Sequence, residues 1–322
     1  MKTDFINGSI EEGANILLHT LGNLAEGEKL CIVSDTTTRA TAEIVAQQAS
    51  AEGFQVDHQV IAPLQVHGQE PPEETRRSML SADLVMGMTH RSMAHSKTRG
   101  ELCRGKGRYL SLPEYSVEML KHPSLRADYK KSAAKAKLLA DKFTEASSIE
   151  IKTPAGTNIR LSAKGRLGNF CPGYVTREYK LGSPPDIESN VSPVEDSAEG
   201  VVVVDGSVPM SGMGQLRSPI KLTVRGGMIT SIEAEKQYKD ILEPLFEKFG
   251  PKSRVLAECG VGFNEKAKLC GNMLIDEGCL GTFHFGFGSN STVGGKNEVS
   301  FHLDFIYYAK EMLIDGVPYS IS

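Results

Sequence analysis

Long apolar runs are missing from this chain. Nothing in its 322 residues approaches the ~18 consecutive apolar positions a membrane-spanning helix needs, and the longest stretch, around 201–204, has strand length. Residues 1–5 lack the apolar segment of a secretory leader, so a cytoplasmic location is expected. The cysteines at 31, 103, 171, 259, 270 and 279 form no Cys-x-x-Cys pair and no framework spacing, and buried, reduced thiols are the expectation. Charge of one sign is also scarce. A net charge of −4 and a pI near 6.1 argue against a nucleic-acid partner, which needs clustered Lys and Arg. The most basic stretch, 130–137, reads as a solvated helix face. No Gly-x-Ser-x-Gly elbow is present, which removes a serine hydrolase of that type. Neither a Walker A loop nor a Rossmann glycine fingerprint appears, so a nucleotide is not expected.

What is present is an ordinary globular composition, 40% hydrophobic and 24% charged, in a chain long enough for two domains. From 28 to 120, strand-like runs (29–35, 54–62, 83–88, 108–111) alternate with helical patterns (38–52, 72–82, 96–104), which predicts a doubly wound parallel sheet. Residues 123–146 read as a long polar helix. Beyond 147 the texture changes to turn-punctuated β runs: a hairpin at 149–153 and 158–163, then 200–204, 220–224, 229–233, 256–260, 282–287, 299–307 and 311–314, interrupted by a helix at 235–249. The fold class expected is therefore α/β: an N-terminal parallel-sheet domain (1–146) and a C-terminal α+β domain (147–322) rich in antiparallel sheet.

The sharpest chemical feature is Phe301-His302-Leu303-Asp304-Phe305. Strand side chains alternate, so His302 and Asp304 share one face while the aromatic and aliphatic residues pack behind. An imidazole and a carboxylate on one face suit a divalent metal, although a strand with polar residues facing water has the same pattern. His284 lies in the aromatic, glycine-rich Thr282-Phe283-His284-Phe285-Gly286-Phe287-Gly288, either as a further ligand or as a satisfied core histidine. Two histidines and a carboxylate form the face favoured by non-haem iron, and would hold zinc if supplemented. Glu258 interrupts the apolar run Val255-Leu256-Ala257-Glu258-Cys259, and a buried carboxylate needs a partner such as a metal. Asp276 and Glu277 either line such a site or cap a helix, the cap being favoured; Glu277 is kept as a catalytic candidate. Glu188 sits in an apparent loop. In the first domain, His95 belongs to a His-, Arg- and hydroxyl-rich segment, 89–99, that follows a parallel strand, where open α/β sheets place ligands.

Several of these motifs carry a resemblance. Leu256-Ala257-Glu258-Cys259-Gly260-Val261-Gly262-Phe263-Asn264, Gly271-Asn272-Met273-Leu274-Ile275-Asp276-Glu277, the strand around His284 and His302-Leu303-Asp304 together resemble the aminopeptidase T (M29) metalloaminopeptidases. They are still more similar to that family's shorter relatives, which include the 2,5-dihydroxypyridine 5,6-dioxygenases. The aminopeptidase resemblance implies a two-metal site (Zn, Co or Mn) of Glu188, Glu258, His284, His302 and Asp304. A metal-activated water there would attack an N-terminal peptide bond. The tyrosine those enzymes place seven positions after the matching histidine is Ser291 here, and the segment from His284 to His302 is shorter than theirs. The dioxygenase resemblance implies one Fe(II) on His302, Asp304 and a second histidine, assigned to His284 by residue type, with His95 contacting a ring hydroxyl.

Taken together, the sequence leads to the expectation of a metalloenzyme, with aminopeptidase-type hydrolysis as the main reading. A ring-cleaving Fe(II) dioxygenase is the alternative, and a metal-free binding protein on the same fold a second one. The expected partners are a small-molecule or short-peptide substrate and, since relatives are commonly dimers, a second copy of the chain. No nucleic acid and no membrane are expected.

Overall fold

The protein is described here by a computed structural model over residues 8–321, so the 1–5 stretch lies outside the described residues. Two compact units emerge, one built from the chain up to Tyr129 with Cys171–Pro185, the other from Lys130–Phe170 with the chain from Asp186 onward. This division differs from a single cut after 146, because a later segment returns to the first unit.

In the first unit, α1 (Ile10–Asn15) continues into a π-helical turn (Ile16–Leu21). Then come β1 (Lys29–Ser34), α2 (Arg39–Ala51), β2 (Gln55–Val60), α3 (Glu73–Ser81), β3 (Leu84–Met88), α4 (Lys97–Arg104), β4 (Arg108–Ser111) and α5 (Val117–Lys121). The sheet order is β2-β1-β3-β4, all parallel, as the strand–helix alternation predicts. A fifth strand, Leu181–Gly182, joins β4 in parallel, and this short pairing draws 171–185 back to the first unit. Cys31, Val33, Val85, Leu102 and Tyr109 pack one face of this sheet.

The second unit opens with α6 (Tyr129–Glu145), shorter than the 123–146 helix expected; Pro123–Arg126 forms a separate 3-10 turn. One seven-stranded sheet contains β5 (Ser148–Lys152), β6 (Asn158–Ser162) and, later in the chain, Glu199–Val204, Ile220–Arg225 and Met228–Glu233. The other begins with β7 (Gly168–Cys171). With the first-unit strand Leu181–Gly182 counted as β8, it continues with β9 (Glu188–Val191) and, numbering the strands 199–204, 207–208, 214–215, 220–225 and 228–233 as β10 to β14, with β15 (Leu256–Gly262), β16 (Thr282–Gly288) and β17 (His302–Tyr308). Its order is β12-β11-β17-β16-β15-β9-β7, and the pairs among β9, β15, β16 and β17 are antiparallel.

Alternation gives this second sheet two different faces. On one, Phe283, Phe285 and Phe287 of β16 meet Tyr307 and Phe305 of β17 at ring separations of 5.4 to 6.2 Å, and each such pair adds about 0.5–1.5 kcal/mol beyond area burial. The helix Lys236–Phe249 covers this face, stacking Phe246 on Phe305 at 6.5 Å. Its buried Tyr238, Leu242 and Phe246 recur every fourth residue, as one helix face requires, and Gly250, at φ 73°, ends it. The opposite face carries the polar residues.

Candidate metal centre

Register alone assembles the candidate ligands. Glu188 of β9 lies opposite Gly262 of β15, Gly260 opposite His284 of β16, and Gly286 opposite both Glu258 and Asp304; Gly288 faces His302. Each bulky polar side chain on this face is therefore flanked by a glycine. The glycines matter sterically: a Cβ on Gly260 would lie 1.9 Å from His284 Nε2, and one on Gly286 2.5 Å from His302 Nε2 and 2.8 Å from Asp304 Oδ1. Gly286 belongs to the aromatic, glycine-rich run around His284, whereas no such run surrounds Gly260.

The five side chains fall into two groups of three that share Glu258: Glu188, Glu258 and His284, then Glu258, His302 and Asp304. His284 Nε2 stands 3.2 Å from Glu188 Oε2 and 3.8 Å from Glu258 Oε1. His302 Nε2 stands 3.4 Å from Glu258 Oε2 and 3.2 Å from Asp304 Oδ1. The two oxygens of Glu258 thus face different histidines. Glu188, Glu258, His284 and Asp304 are buried, whereas a third of the His302 side chain is open to solvent.

The surroundings orient these donors. His302 Nδ1 lies 2.8 Å from the Ser289 carbonyl, so it carries the ring proton and leaves the Nε2 lone pair facing two carboxylates. Oxygens and a nitrogen lone pair converging in this way need a cation or a proton among them. Glu188 Oε2 is buried and makes no hydrogen bond of acceptable geometry, while Asn190 donates to its Oε1 at 2.9 Å and is itself held by Asn169. The residues present therefore fit a divalent metal. Among the described residues, buried His284 Nδ1 has no hydrogen-bond partner.

Proton affinities show the same tension. Burial pulls His302 and His284 down, but the neighbouring carboxylates outweigh it, holding His302 at about 10 and His284 well above its ordinary value. Burial raises Asp304, yet His302 brings it down to about 2. Burial, then repulsion from Asp304 and Glu188, pushes Glu277 well above the usual carboxylate range.

Some sequence expectations change. Glu188 is not in a loop but is the first residue of β9, because pairing with β15 extends a polar stretch that has no strand pattern of its own. The helix cap is neither Asp276 nor Glu277 but Asn272, whose side chain accepts from Ile275 N. Asp276 is fully buried and accepts from the backbone of Cys270 and Gly271 and from Ser207 Oγ. Glu277 is half-buried and neighbours Asp304, the two carboxyl groups acting on one another electrostatically. Strand β17 starts at His302 rather than 299. His95 lies in the first unit, exposed in the turn before α4.

Fold and side chains together define a two-unit α/β protein with a His–carboxylate cluster of metalloenzyme type. The chain matches the sequence family described as NicX, 2,5-dihydroxypyridine 5,6-dioxygenase, over residues 18–319, and it belongs to that family. A curated 2,5-dihydroxypyridine 5,6-dioxygenase of Pseudomonas putida (strain KT2440) is 25% identical over 243 residues, 71% of this chain and 67% of the relative. The solved structure of 2,5-dihydroxypyridine dioxygenase from Pseudomonas putida KT2440 aligns with a TM-score of 0.78 at 18% identity, over 97% of this chain and 95% of that one. Wild-type AmpT from Thermus thermophilus aligns at 0.68 and 16% identity, over 97% of each chain. At such identities the structural likeness establishes the fold. The fold is thus shared with an aminopeptidase, the expected hydrolysis is not confirmed, and the activity the family names is the ring-cleaving alternative. Among the described residues, no helix is long and apolar enough to cross a membrane.

Proposed function

We propose that the protein is a non-haem iron dioxygenase that opens the ring of a dihydroxypyridine-like aromatic. Family membership across 18–319 carries this reading, since the family and its curated Pseudomonas putida relative bear that description. His284, His302 and Asp304 offer the two imidazoles and one carboxylate that Fe(II) favours. When bound, iron supplies the one-electron chemistry that lets dioxygen react with a closed-shell ring. The chain's own residues then do the positioning. Ser289 O fixes the His302 tautomer, Asn190 orients Glu188, and Glu277 sets a further carboxyl group beside Asp304. His95 is assigned a contact with a substrate hydroxyl. The reading includes a small-molecule substrate and a dimer, the latter checked by light scattering. Protein loaded anaerobically with Fe(II) is expected to consume oxygen when given 2,5-dihydroxypyridine; loaded protein that takes up no oxygen with this or related hydroxypyridines sinks the reading.

A second reading, aminopeptidase-type hydrolysis with two metals, is favoured by one observation. The donors form two triplets sharing Glu258, and neither triplet holds both histidines. Two ions, one held by each triplet, would share Glu258. Glu188→Gln separates the two: a fall from two metals per chain to one supports the hydrolase, and an unchanged single iron supports the dioxygenase.

A further inference from the structure

In the first unit, the loops after β2 and β3 are zipped together at the carboxyl edge of the parallel sheet. Gly68 N–H donates to Ser92 O at 2.7 Å, and Ser92 N–H donates to His67 Nδ1 at 3.2 Å. The Glu70 carboxylate accepts from the backbone of Lys97 and Thr98, tying the same loop to the start of α4. Because His67 Nδ1 accepts, the neutral ring carries its proton on Nε2. Arg91 Nη1, which can only donate, lies 3.2 Å from that Nε2. Each ring nitrogen thus meets a donor, Nδ1 the Ser92 N–H and Nε2 the Arg91 guanidinium, but a neutral ring has one lone pair; with Ser92 taking it, Nε2–H and Arg91 face one another. Partial burial, then the adjacent guanidinium, lowers the His67 pKa and keeps the ring neutral. Among the described residues no carboxylate is ion-paired with Arg91; Glu114, which acts on His67 electrostatically, lies 3.2 Å from His90 Nδ1.

We infer that His67 Nε2–H and the Arg91 guanidinium form a two-donor clamp for the carboxylate of a small organic anion. A carboxylate has two oxygens in one plane and can accept from both groups at once, the arrangement in which arginine is strongest. The place is also the one where open α/β sheets gather ligands, beyond the carboxyl ends of their strands. Glu114 nearby weighs against a dianion, so a singly charged carboxylate fits better than phosphate. A Cβ on Gly68, the residue after His67, would lie 3.4 Å from His95 Cβ, so the clamp adjoins the histidine assigned to the substrate, while its test needs neither metal nor turnover.

The test uses the full-length protein with isotope-labelled histidine, titrated with benzoate, with benzamide as the uncharged isostere, and with inorganic phosphate. The His67 resonance is assigned by its loss in His67→Gln. Benzoate should shift the His67 Nε2 signal saturably, benzamide should not, and Arg91→Gln should weaken benzoate binding by about tenfold or more without changing the melting temperature. A His67 signal unmoved by benzoate, tighter binding of phosphate than of benzoate, or equal effects of benzoate and benzamide would each overturn the clamp. The comparison of the two isosteres on the unmodified protein holds even if Arg91→Gln does not fold.

Discussion

Replacing Gly260 by alanine places a methyl carbon 1.9 Å from His284 Nε2, 2.2 Å from Cε1 and 2.6 Å from Cδ2. Reaching ordinary contact at 3.4 Å requires Nε2 to retreat by about 1.5 Å, whereas a metal–ligand distance tolerates only about ±0.2 Å. His284 is 1% exposed, so the ring has no free space to turn into without displacing packed neighbours. Overpacking of this kind costs about 1–3 kcal/mol, and a displaced metal-binding histidine should weaken metal affinity by at least about 10–100-fold. The assay pairs metal content by elemental analysis with thermal unfolding of the metal-free protein. Gly100→Ala serves as the control: a Cβ there meets only the flexible end of Arg104, at 3.3 Å, and alanine in a helix gains up to about 1 kcal/mol over glycine. Wild-type metal content and affinity in Gly260→Ala would refute the argument that this glycine makes room for the ligand.

Other outcomes follow from the same structure. His302→Ala and Asp304→Ala should each abolish metal retention while circular dichroism stays native; a variant that still holds wild-type metal removes its residue from the centre. His95→Ala should leave metal content unchanged and slow turnover, and unaltered kinetics would return that histidine to the loop before α4. Glu28→Gln removes the partner of Arg108, whose side chain is 6% exposed, and should destabilise the protein by about 3 kcal/mol in denaturant unfolding. Hydrogen bonding to Arg108, opposed by burial, lowers the Glu28 pKa. That contribution is therefore present above the unfolded-state value near 4.5 and is lost as pH falls through the lower folded value, so the acid arm of the stability curve should flatten in the variant. An unchanged acid arm contradicts the assignment.

Much of this was legible beforehand where local pattern and tertiary placement agree. The runs 29–35, 83–88, 282–287 and 311–314 carry enough apolar residues to declare themselves as strands, and the structure places β1, β3, β16 and Glu311–Ile314 there. The shared face of His302 and Asp304 follows from a period of two. Glu188-Ser189-Asn190-Val191 did not declare itself, because its strand exists through long-range pairing with β15. The return of Leu181–Gly182 to β4 was equally invisible, since two residues carry no periodic signal. The start of α1 could have been found: Ser9 and Glu12 have capping-box spacing, and the Ser9 side chain accepts from Glu12 N. The Ser289 carbonyl that orients His302 has no sequence signature at all.

The most direct test of the central claim is metal per chain in protein purified without oxygen or chelator, measured beside His302→Ala and Asp304→Ala. The account predicts one iron per chain in the unmodified protein and none in either variant. An unmodified protein that binds no divalent metal when supplied with Fe(II), or variants that keep their iron, would contradict it.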